Sequence, residues 1–166
     1  MAGCVSRGAY DELQAKYQQS QQQNAALTSR AANESAQISR LQGAIKYTVD
    51  SDLLFAPGGW EMSARGKQVI GNMATKLAST QQNKIVVNGY TDDAPVGPGL
   101  QRRGVTSNQM LSEKRAQTVA DFLVAQGLDP GLVSAVGHGD QDPIASNATA
   151  QGRRKNRRVE LALVTG

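Results

Sequence analysis

Cysteine, histidine and long apolar runs are nearly absent from this sequence. Cys4 is the only cysteine and His138 the only histidine. An internal disulfide is therefore excluded, and a zinc site, which needs three or four Cys, His or carboxylate ligands, is not expected. No apolar run approaches the roughly 18 residues that a membrane-spanning helix needs. With 39% hydrophobic and 4% aromatic residues among 166, the chain is expected to form one domain of modest core plus an appendage.

A strong excess of one charge is also missing. The formal net charge is +4, from 18 basic and 14 acidic residues, and both signs occur along the whole chain. The local exception is the basic run of residues 153–158, which invites a nucleic-acid interpretation. That run contains no aromatic residue, and no helix-turn-helix or RNA-binding signature accompanies it. We therefore expect no nucleic-acid partner.

Signatures of catalysis are absent as well. The sequence has no nucleophile elbow of the form G-x-S-x-G and no phosphate-binding loop. Asp92, Asp93 and His138 could in principle serve as acid, base and proton carrier. No nucleophile or metal-ligand set accompanies them, and the glycines on both sides of His138 favour a flexible strand exit. We expect no enzymatic activity, no cofactor and no metal.

Residues 9–42 contain neither glycine nor proline and are rich in tolerable helix formers. Positions spaced alternately by three and four form a heptad seam, in which eight of eleven are apolar or alanine. The pattern predicts a helical or coiled-coil stalk over residues 9–46, about 50 Å long over the 34 uninterrupted residues. The alternative is a Gln-rich, partly disordered tether. The seam consists of Tyr10, Leu13, Tyr17, Ser20, Asn24, Leu27, Ala31, Glu34, Ile38, Leu41 and Ile45.

Residues 47–166 alternate between strand and helix patterns. Strands are predicted around 47–49, at 84–90, at 132–136 and at 159–164, because β-branched and alternating apolar residues favour extended chain. Helices are predicted from Ala64 after the cap Ser63, and from Asn108 or Ser112 to the cap Gly127. A short helix is expected near 148–155, and residues 91–106 are predicted to be a long loop. The order β-α-β-α-β-β predicts an α/β sandwich, a small mixed sheet with helices on one face.

Two charged residues follow a strand and begin a helix in this domain. Asp92 ends the stretch Asn88–Asp92, and Arg115 lies in the first turns of the following helix. A carboxylate and a guanidinium that face one cleft would bind a zwitterion, because arginine pairs with a carboxylate and aspartate with an ammonium group. The residues alone leave open that Asp92 and Arg115 form an ordinary salt bridge, or that Asp92 caps a turn.

Several separated motifs occur in a characteristic order. They are N-G-Y-T-D at 88–92, N-x-x-L-S-x-x-R-A at 108–116, G-H-G at 137–139, Pro143, Asn147, Thr149, Gly152-Arg153, and N-R-R-V-E at 156–160. Together they resemble the OmpA C-terminal family, which includes peptidoglycan-associated lipoproteins and flagellar-stator MotB proteins. The resemblance covers about residues 47–164.

The resemblance implies a periplasmic domain that grips the diaminopimelate of uncrosslinked peptidoglycan stems. By matching motif positions, Asp92 would hold the free ammonium group and Arg115 the carboxylate. Asn108 and Leu111 would line the same cleft. Thr91 and the backbone of Phe55 and Ala56 are weaker candidates implied in the same way.

Two features qualify this expectation. The loop between Asp92 and Arg115 is longer than in short members of the family, so it could reshape the rim of the cleft or add basic contacts. In the basic run, the resemblance implies that Asn156 and Arg157 tie a loop to the sheet.

The N-terminal residues 1–8 are expected to form a tail, and within them Ala2, Gly3 and Cys4 resemble the end of a bacterial lipobox. Lipid on Cys4 would anchor the protein to a membrane. We thus expect a protein of the outer membrane, facing the periplasm, that tethers this membrane to the cell wall. The alternative is an assembly component of an envelope machine, which forms homo-oligomers through the stalk and docks a protein partner. The alternative interpretation of Cys4 is an ordinary exposed thiol near a disordered terminus.

Overall fold

A computed structural model describes residues 7–43, 46–78 and 83–164. The chain divides into two compact units, Met1–Leu41 and Gln42–Gly166. The helices are α1 Arg7–Gly43, α2 Ser51–Leu54, α3 Ala64–Ala78, α4 Pro98–Arg102, α5 Asn108–Ala125 and α6 Ala150–Asn156. The strands are β1 Lys46–Asp50, β2 Lys84–Gly89, β3 Val133–Gly137 and β4 Arg158–Val164, with a 3-10 turn at Pro130–Leu132.

All described residues of the first unit, 7–41, belong to helix α1. Four large apolar residues at heptad spacing are open to solvent: Tyr10 is 61% exposed, Leu13 67%, Tyr17 64% and Leu27 62%. The ion pairs Lys16–Glu12, at 2.7 Å, and Arg30–Glu34, at 2.9 Å, join residues one turn apart along the helix. The last seam position, Ile45, lies outside the described residues. No helix in the described ranges is long and apolar enough to cross a membrane.

The second unit has a four-stranded mixed sheet in the order β1-β4-β2-β3. Strand β4 is antiparallel to both of its neighbours, β1 and β2, whereas β2 and β3 are parallel. Helix α5 connects the two parallel strands and packs against both of them, and α3 packs against α5. This arrangement confirms the predicted α/β sandwich with a small mixed sheet.

The main core lies between the sheet and these two helices. Its residues come from one side of each element, as the periodicity of the sequence predicts. They are Leu54, Phe55, Ile70, Ala74, Ile85, Val87, Ala116, Val119, Ala120, Leu123, Leu128, Val159 and Leu161. Two predicted capping residues are also confirmed. The Ser63 hydroxyl accepts a hydrogen bond from the Gly66 N–H at 2.9 Å at the start of α3. Gly127 has a φ of +100° after the end of α5.

The second face of β4 is less exposed than its polar residues suggest. Arg158 and Glu160 are 3% and 7% exposed, and the Arg158 Nε donates to the Glu160 Oε1 at 2.7 Å. The loop after β3 covers them, since the Arg158 Nη2 donates to the Asp142 carbonyl at 3.1 Å. The guanidinium also lies 3.7 Å from the Tyr90 ring centre, and Tyr90 stacks on His138 at 4.6 Å. Burial raises the pKa of the Tyr90 hydroxyl.

The long loop after β2 contains a helix that the sequence analysis did not predict. Helix α4 begins with Pro98, whose fixed φ suits a first helical position. Leu100 anchors the helix in a small apolar cluster that is separate from the main core. The members of this cluster, called the rim cluster below, are Trp60, Val96, Leu100, Val105 and Leu111. Tertiary packing, rather than local propensity, accounts for this helix among glycines.

Close packing of β2 against α5 depends on Gly89. A Cβ atom added there would overlap the backbone carbonyl of Ser112, which is not the end of a flexible side chain. We therefore predict that Gly89→Ala lowers the free energy of unfolding by about 1–3 kcal/mol, the usual cost of overpacking. Urea denaturation of the full chain would measure this difference.

The matched control is Gly99→Ala in α4, where an added Cβ meets no atom within 4 Å. This variant should stay within about 1 kcal/mol of the parent, because alanine is compatible with the helical backbone. Equal stability of the Gly89 variant and the parent would contradict the close packing of β2 and α5.

Candidate functional site

A cleft of about 520 Å³ opens at the edge of the sheet where β1 and β2 end. The structure brings together in its lining all seven binding residues expected from the sequence. These are Phe55, Ala56, Thr91, Asp92, Asn108, Leu111 and Arg115. Two further charged residues, Asp52 and Arg157, line the same cleft and were not among the expected binding residues.

Arg115 is the most buried charge in the cleft, with 5% of its surface exposed. Its Nε donates to the Gly59 carbonyl at 2.9 Å, and its guanidinium carbon lies 5.4 Å from the Phe55 ring centre. Among the described residues, no carboxylate forms an ion pair with it within 4 Å. Burial lowers the pKa of Arg115 to about 10, against the opposing effect of the nearby Asp52 charge. The buried guanidinium thus remains a cation at neutral pH with unused donors.

Asp92 lies just beyond β2 and is 9% exposed. Its Oδ2 accepts from the Arg157 Nη1 at 2.7 Å, and its Oδ1 accepts a longer bond, 3.3 Å, from the Ala94 N–H. The alternative in which Asp92 pairs with Arg115 is therefore not what the structure contains. Asp92 pairs with an arginine from another part of the chain.

Arg157 bridges two carboxylates. Its Nε and Nη2 donate to the two Asp52 oxygens at 3.1 and 2.7 Å, while its Nη1 reaches Asp92. The hydrogen bond to Asp52 is the largest factor that raises the pKa of Arg157 above its ordinary value. The same bond lowers the pKa of Asp52. Asp52, Arg157 and Asp92 thus form a hydrogen-bonded row of alternating charge.

Strand order explains why this row forms. Strand β4 lies between β1 and β2 and is antiparallel to both. The residue before β4, Arg157, therefore lies at the same edge as the residues that follow β1 and β2, which include Asp52 and Asp92. The expectation that Asn156 and Arg157 tie a loop to the sheet holds for Asn156, whose side chain bonds to Ile144, Ala145 and Asn147. The Arg157 side chain instead points into the cleft.

The remaining expected residues have different contacts. The Asn108 Nδ2 donates to the carbonyls of Asp92 and Ala94 at 3.2 and 3.0 Å, so it fixes the loop that carries Asp92. Leu111 is 6% exposed and belongs to the rim cluster. The N–H groups of Phe55 and Ala56 already donate to Ser51 and Glu61 carbonyls. Neither N–H is therefore available to a ligand without rearrangement.

Two hydroxyls in the cleft lining lack a hydrogen-bond partner. They are the Ser51 Oγ and the Thr91 Oγ1, both buried. Neither hydroxyl has a hydrogen-bond partner among the residues that the structure describes, so both could bond to a ligand. Within the described ranges, no group of three or more His, Cys, Asp and Glu side chains is placed to hold a metal ion. The chemistry that this arrangement supports is charge recognition.

The long loop forms one wall of the cleft. The rim cluster holds it in place, and Arg103 lies 3.8 Å from the centre of the Trp60 ring. Arg103 also pairs with Glu61, and this hydrogen bond lowers the pKa of the exposed Glu61 carboxyl. The cleft therefore has a charged floor beside an apolar wall of Val96, Leu100 and Leu111.

Comparison with protein families gives a match to the OmpA family over residues 54–157. The peptidoglycan-binding protein ArfA of Mycobacterium tuberculosis is 37% identical over 123 residues, which cover 74% of this chain and 35% of ArfA. Outer membrane protein A of Bordetella avium is 34% identical over 121 residues, covering 73% and 58%. The probable lipoprotein YiaD of Escherichia coli is 30% identical over 141 residues, covering 85% and 61%. The chain thus spans about a third of the length of ArfA.

Solved structures show the same fold. The cell wall anchor of the T6SS from Pseudomonas aeruginosa is 33% identical with a TM-score of 0.66, covering 73% of this chain and 81% of the anchor. A MotB-like protein from Desulfovibrio vulgaris is 27% identical with a TM-score of 0.68, covering 73% of each chain.

Proposed function

The chain belongs to the OmpA family, and we propose that its cleft binds peptidoglycan by gripping the diaminopimelate of stem peptides. The membership confirms the resemblance found in the sequence. The proposed activity is non-catalytic: the domain holds the cell wall and performs no reaction. ArfA, a relative that is 37% identical, is itself named a peptidoglycan-binding protein.

The observation that carries this proposal is the unpaired charge of Arg115. A buried guanidinium without a carboxylate partner is costly, and a ligand carboxylate would relieve that cost with two parallel hydrogen bonds. Asp92, across the same cleft, has one oxygen that accepts only a long bond. That oxygen is suited to an ammonium group.

The charge of the cleft supports a zwitterionic ligand. Asp52 and Asp92 balance Arg115 and Arg157, so the formal charges of the four groups sum to zero. The free end of diaminopimelate carries an ammonium group and a carboxylate on one carbon atom, and it is also neutral. Lysine, the other common residue at this position of stem peptides, has an ammonium group there but no carboxylate. It would leave Arg115 unpaired.

The first prediction from this proposal concerns retention on insoluble peptidoglycan that contains diaminopimelate. Asp92→Asn and Arg115→Ala should each lower the binding constant by at least tenfold, since each removes a charge-assisted hydrogen bond worth about 1.5–3 kcal/mol. Free meso-diaminopimelate should compete with the parent. Peptidoglycan that contains lysine at this position should retain the parent poorly.

Two control variants match these changes in charge. Asp93→Asn alters the next residue, which is exposed, and Arg102→Ala removes an exposed arginine of α4. Both should bind like the parent. The site assignment is wrong if Asp92→Asn and Arg115→Ala also bind like the parent while remaining folded.

We further propose that a lipid on Cys4 anchors the chain to the outer membrane, so that the domain faces the periplasm and tethers that membrane to the wall. Cys4 lies outside the described residues, and the support is its lipobox-like setting after Ala2 and Gly3. YiaD, a relative that is 30% identical, is named a probable lipoprotein, and the Bordetella relative is named an outer membrane protein.

Lipidation predicts a specific labelling result. In cells that export the chain, an alkyne-tagged fatty acid should label the parent and should not label Cys4→Ser, because the thiol is the acceptor. The parent should remain with the membrane fraction and the variant should leave it. An exported parent without label would refute the anchor and leave the wall-binding site unaffected.

A second candidate function is self-assembly through α1, with the domain docked to a protein partner of an envelope machine. The observation in its favour is the heptad row on α1, where Tyr10, Leu13, Tyr17 and Leu27 are all more than 60% exposed. A second copy of the helix would cover this row, and Asn24 at a seam position would fix the register of a two-stranded coil.

Self-association predicts a concentration-dependent mass for the full chain in sedimentation equilibrium. Leu27→Asp should weaken the association at least tenfold, because it buries a charge in the seam, worth about 1.4 kcal/mol or more. Ser29→Asp introduces the same charge two residues away on the outer side and should associate like the parent. A parent that is monomeric at every concentration would remove this candidate.

A further inference from the structure

The ion pair between Asp52 and Arg157 lies beside both binding residues, yet the proposed ligand contacts do not include it. Arg157 spends two of its donors on Asp52, at 3.1 and 2.7 Å. A single donor, the Nη1, reaches Asp92. The Arg157 side chain is 27% exposed and the Asp52 side chain 45%, and both line the cleft, so the pair is accessible to a ligand.

The orientation of the Arg157 guanidinium determines how many hydrogen bonds the Asp92 carboxylate can still accept from a ligand. Arginine prefers to engage one carboxylate with two parallel bonds. Here Asp52 takes that arrangement, and Asp92 receives only one bond, at its Oδ2. The Oδ1 of Asp92 keeps only the 3.3 Å contact from the Ala94 N–H, which leaves room for an ammonium donor.

Asp52 is a possible ion-pair partner of Arg115, as Arg157 is of Asp92. It is the carboxylate whose charge acts most strongly on Arg115, ahead of Asp92. Each of its oxygens accepts a bond from Arg157, and among the described residues it forms no ion pair with Arg115 within 4 Å. Each member of the pair is thus engaged by the other, beside a binding residue that it could neutralise.

We propose that the Asp52–Arg157 pair determines the selectivity of the cleft for ligands that carry both a free ammonium group and a carboxylate. Asp52 holds Arg157 away from full pairing with Asp92, and Arg157 holds Asp52 away from Arg115. This inference rests on the proposed zwitterion site and adds two positioning residues to it.

The charges of single and double variants make the proposal testable. In Asp52→Asn the Arg157 guanidinium can donate two parallel bonds to Asp92, and the net charge of the four groups becomes +1. In Arg157→Gln the Asp52 carboxylate can pair with Arg115 instead, and the net charge of the four groups becomes −1. In the double variant neither competitor remains, and Asp92 and Arg115 again form a neutral pair. The two changes should therefore compensate each other.

The experiment is calorimetric titration of the full chain with two synthetic peptides. One is L-Ala-γ-D-Glu-meso-diaminopimelate, and the other is the same peptide acetylated on the distal amine. Parent, Asp52→Asn, Arg157→Gln, the double variant and a control are compared, and thermal unfolding establishes that each is folded. The control is Arg154→Gln, which breaks the 2.9 Å ion pair to Asp50 outside the cleft lining.

Each single variant should bind the free-amine peptide about tenfold more weakly than the parent, a change of about 1.4 kcal/mol. In Asp52→Asn the preference for the free amine over the acetylated peptide should shrink by a similar factor. The affinity of the double variant for the free-amine peptide should return to within about threefold of the parent. The effects of the two substitutions would then be strongly coupled, as is typical of residues in contact. Arg154→Gln should match the parent with both peptides.

Two outcomes would overturn the inference while leaving the proposed function intact. In the first, the single variants bind both peptides like the parent although Asp92→Asn does not. In the second, the double variant binds no better than the single variants, as a purely structural salt bridge would behave. A folded parent that binds neither peptide would refute the proposed function and this inference together.

Discussion

The insertion of β4 between β1 and β2, antiparallel to both, is the constraint from which the cleft follows. It brings the beginning of one strand and the ends of two others to a single edge of the sheet. Residues that are 105 and 65 positions apart in the chain, Arg157 with Asp52 and Arg157 with Asp92, therefore form hydrogen bonds. Helix α5 adds Arg115 from above the same edge. No local sequence preference could assemble these four charges, since each comes from a different element.

Burial of these charged groups costs desolvation free energy, and contacts within the chain offset only part of that cost. Asp52 and Arg157 keep partial contact with water, so their pairing needs little burial. Arg115 lies deeper, and its compensation consists of one carbonyl bond, the face of Phe55 and the charges of Asp52 and Asp92 at a distance. The lowered pKa of Arg115 has the same physical origin. A buried cation that the scaffold leaves partly unsatisfied is typical of a site that a ligand completes.

Local patterns in the sequence were sufficient for much of this domain, whereas most of the expected cleft residues came from the resemblance to the OmpA family. Sequence patterns predicted α3, α5, α6 and the four strands, and Ser63 and Gly127 marked helix ends, because these signals depend on neighbours in the chain. The short helix α2 was not predicted. Helix α4 was missed because packing of Leu100 in the rim cluster stabilises it. Arg157 was not expected in the cleft because its position depends on strand order. The burial of Arg158 and Glu160 likewise depends on a loop that folds over their face of the sheet.

Selectivity in such a cleft arises more from what a wrong ligand leaves unpaired than from what the right ligand adds. A ligand with only an ammonium group would leave Arg115 buried without a counter-charge. A ligand with only a carboxylate would leave the Oδ1 of Asp92 with only its long bond from the Ala94 N–H while taking solvent away from it. Leaving a charged group desolvated costs more than the net gain of a typical hydrogen bond. Two opposite charges held apart therefore reject singly charged ligands more effectively than either charge alone, provided that the cleft keeps them from neutralising each other.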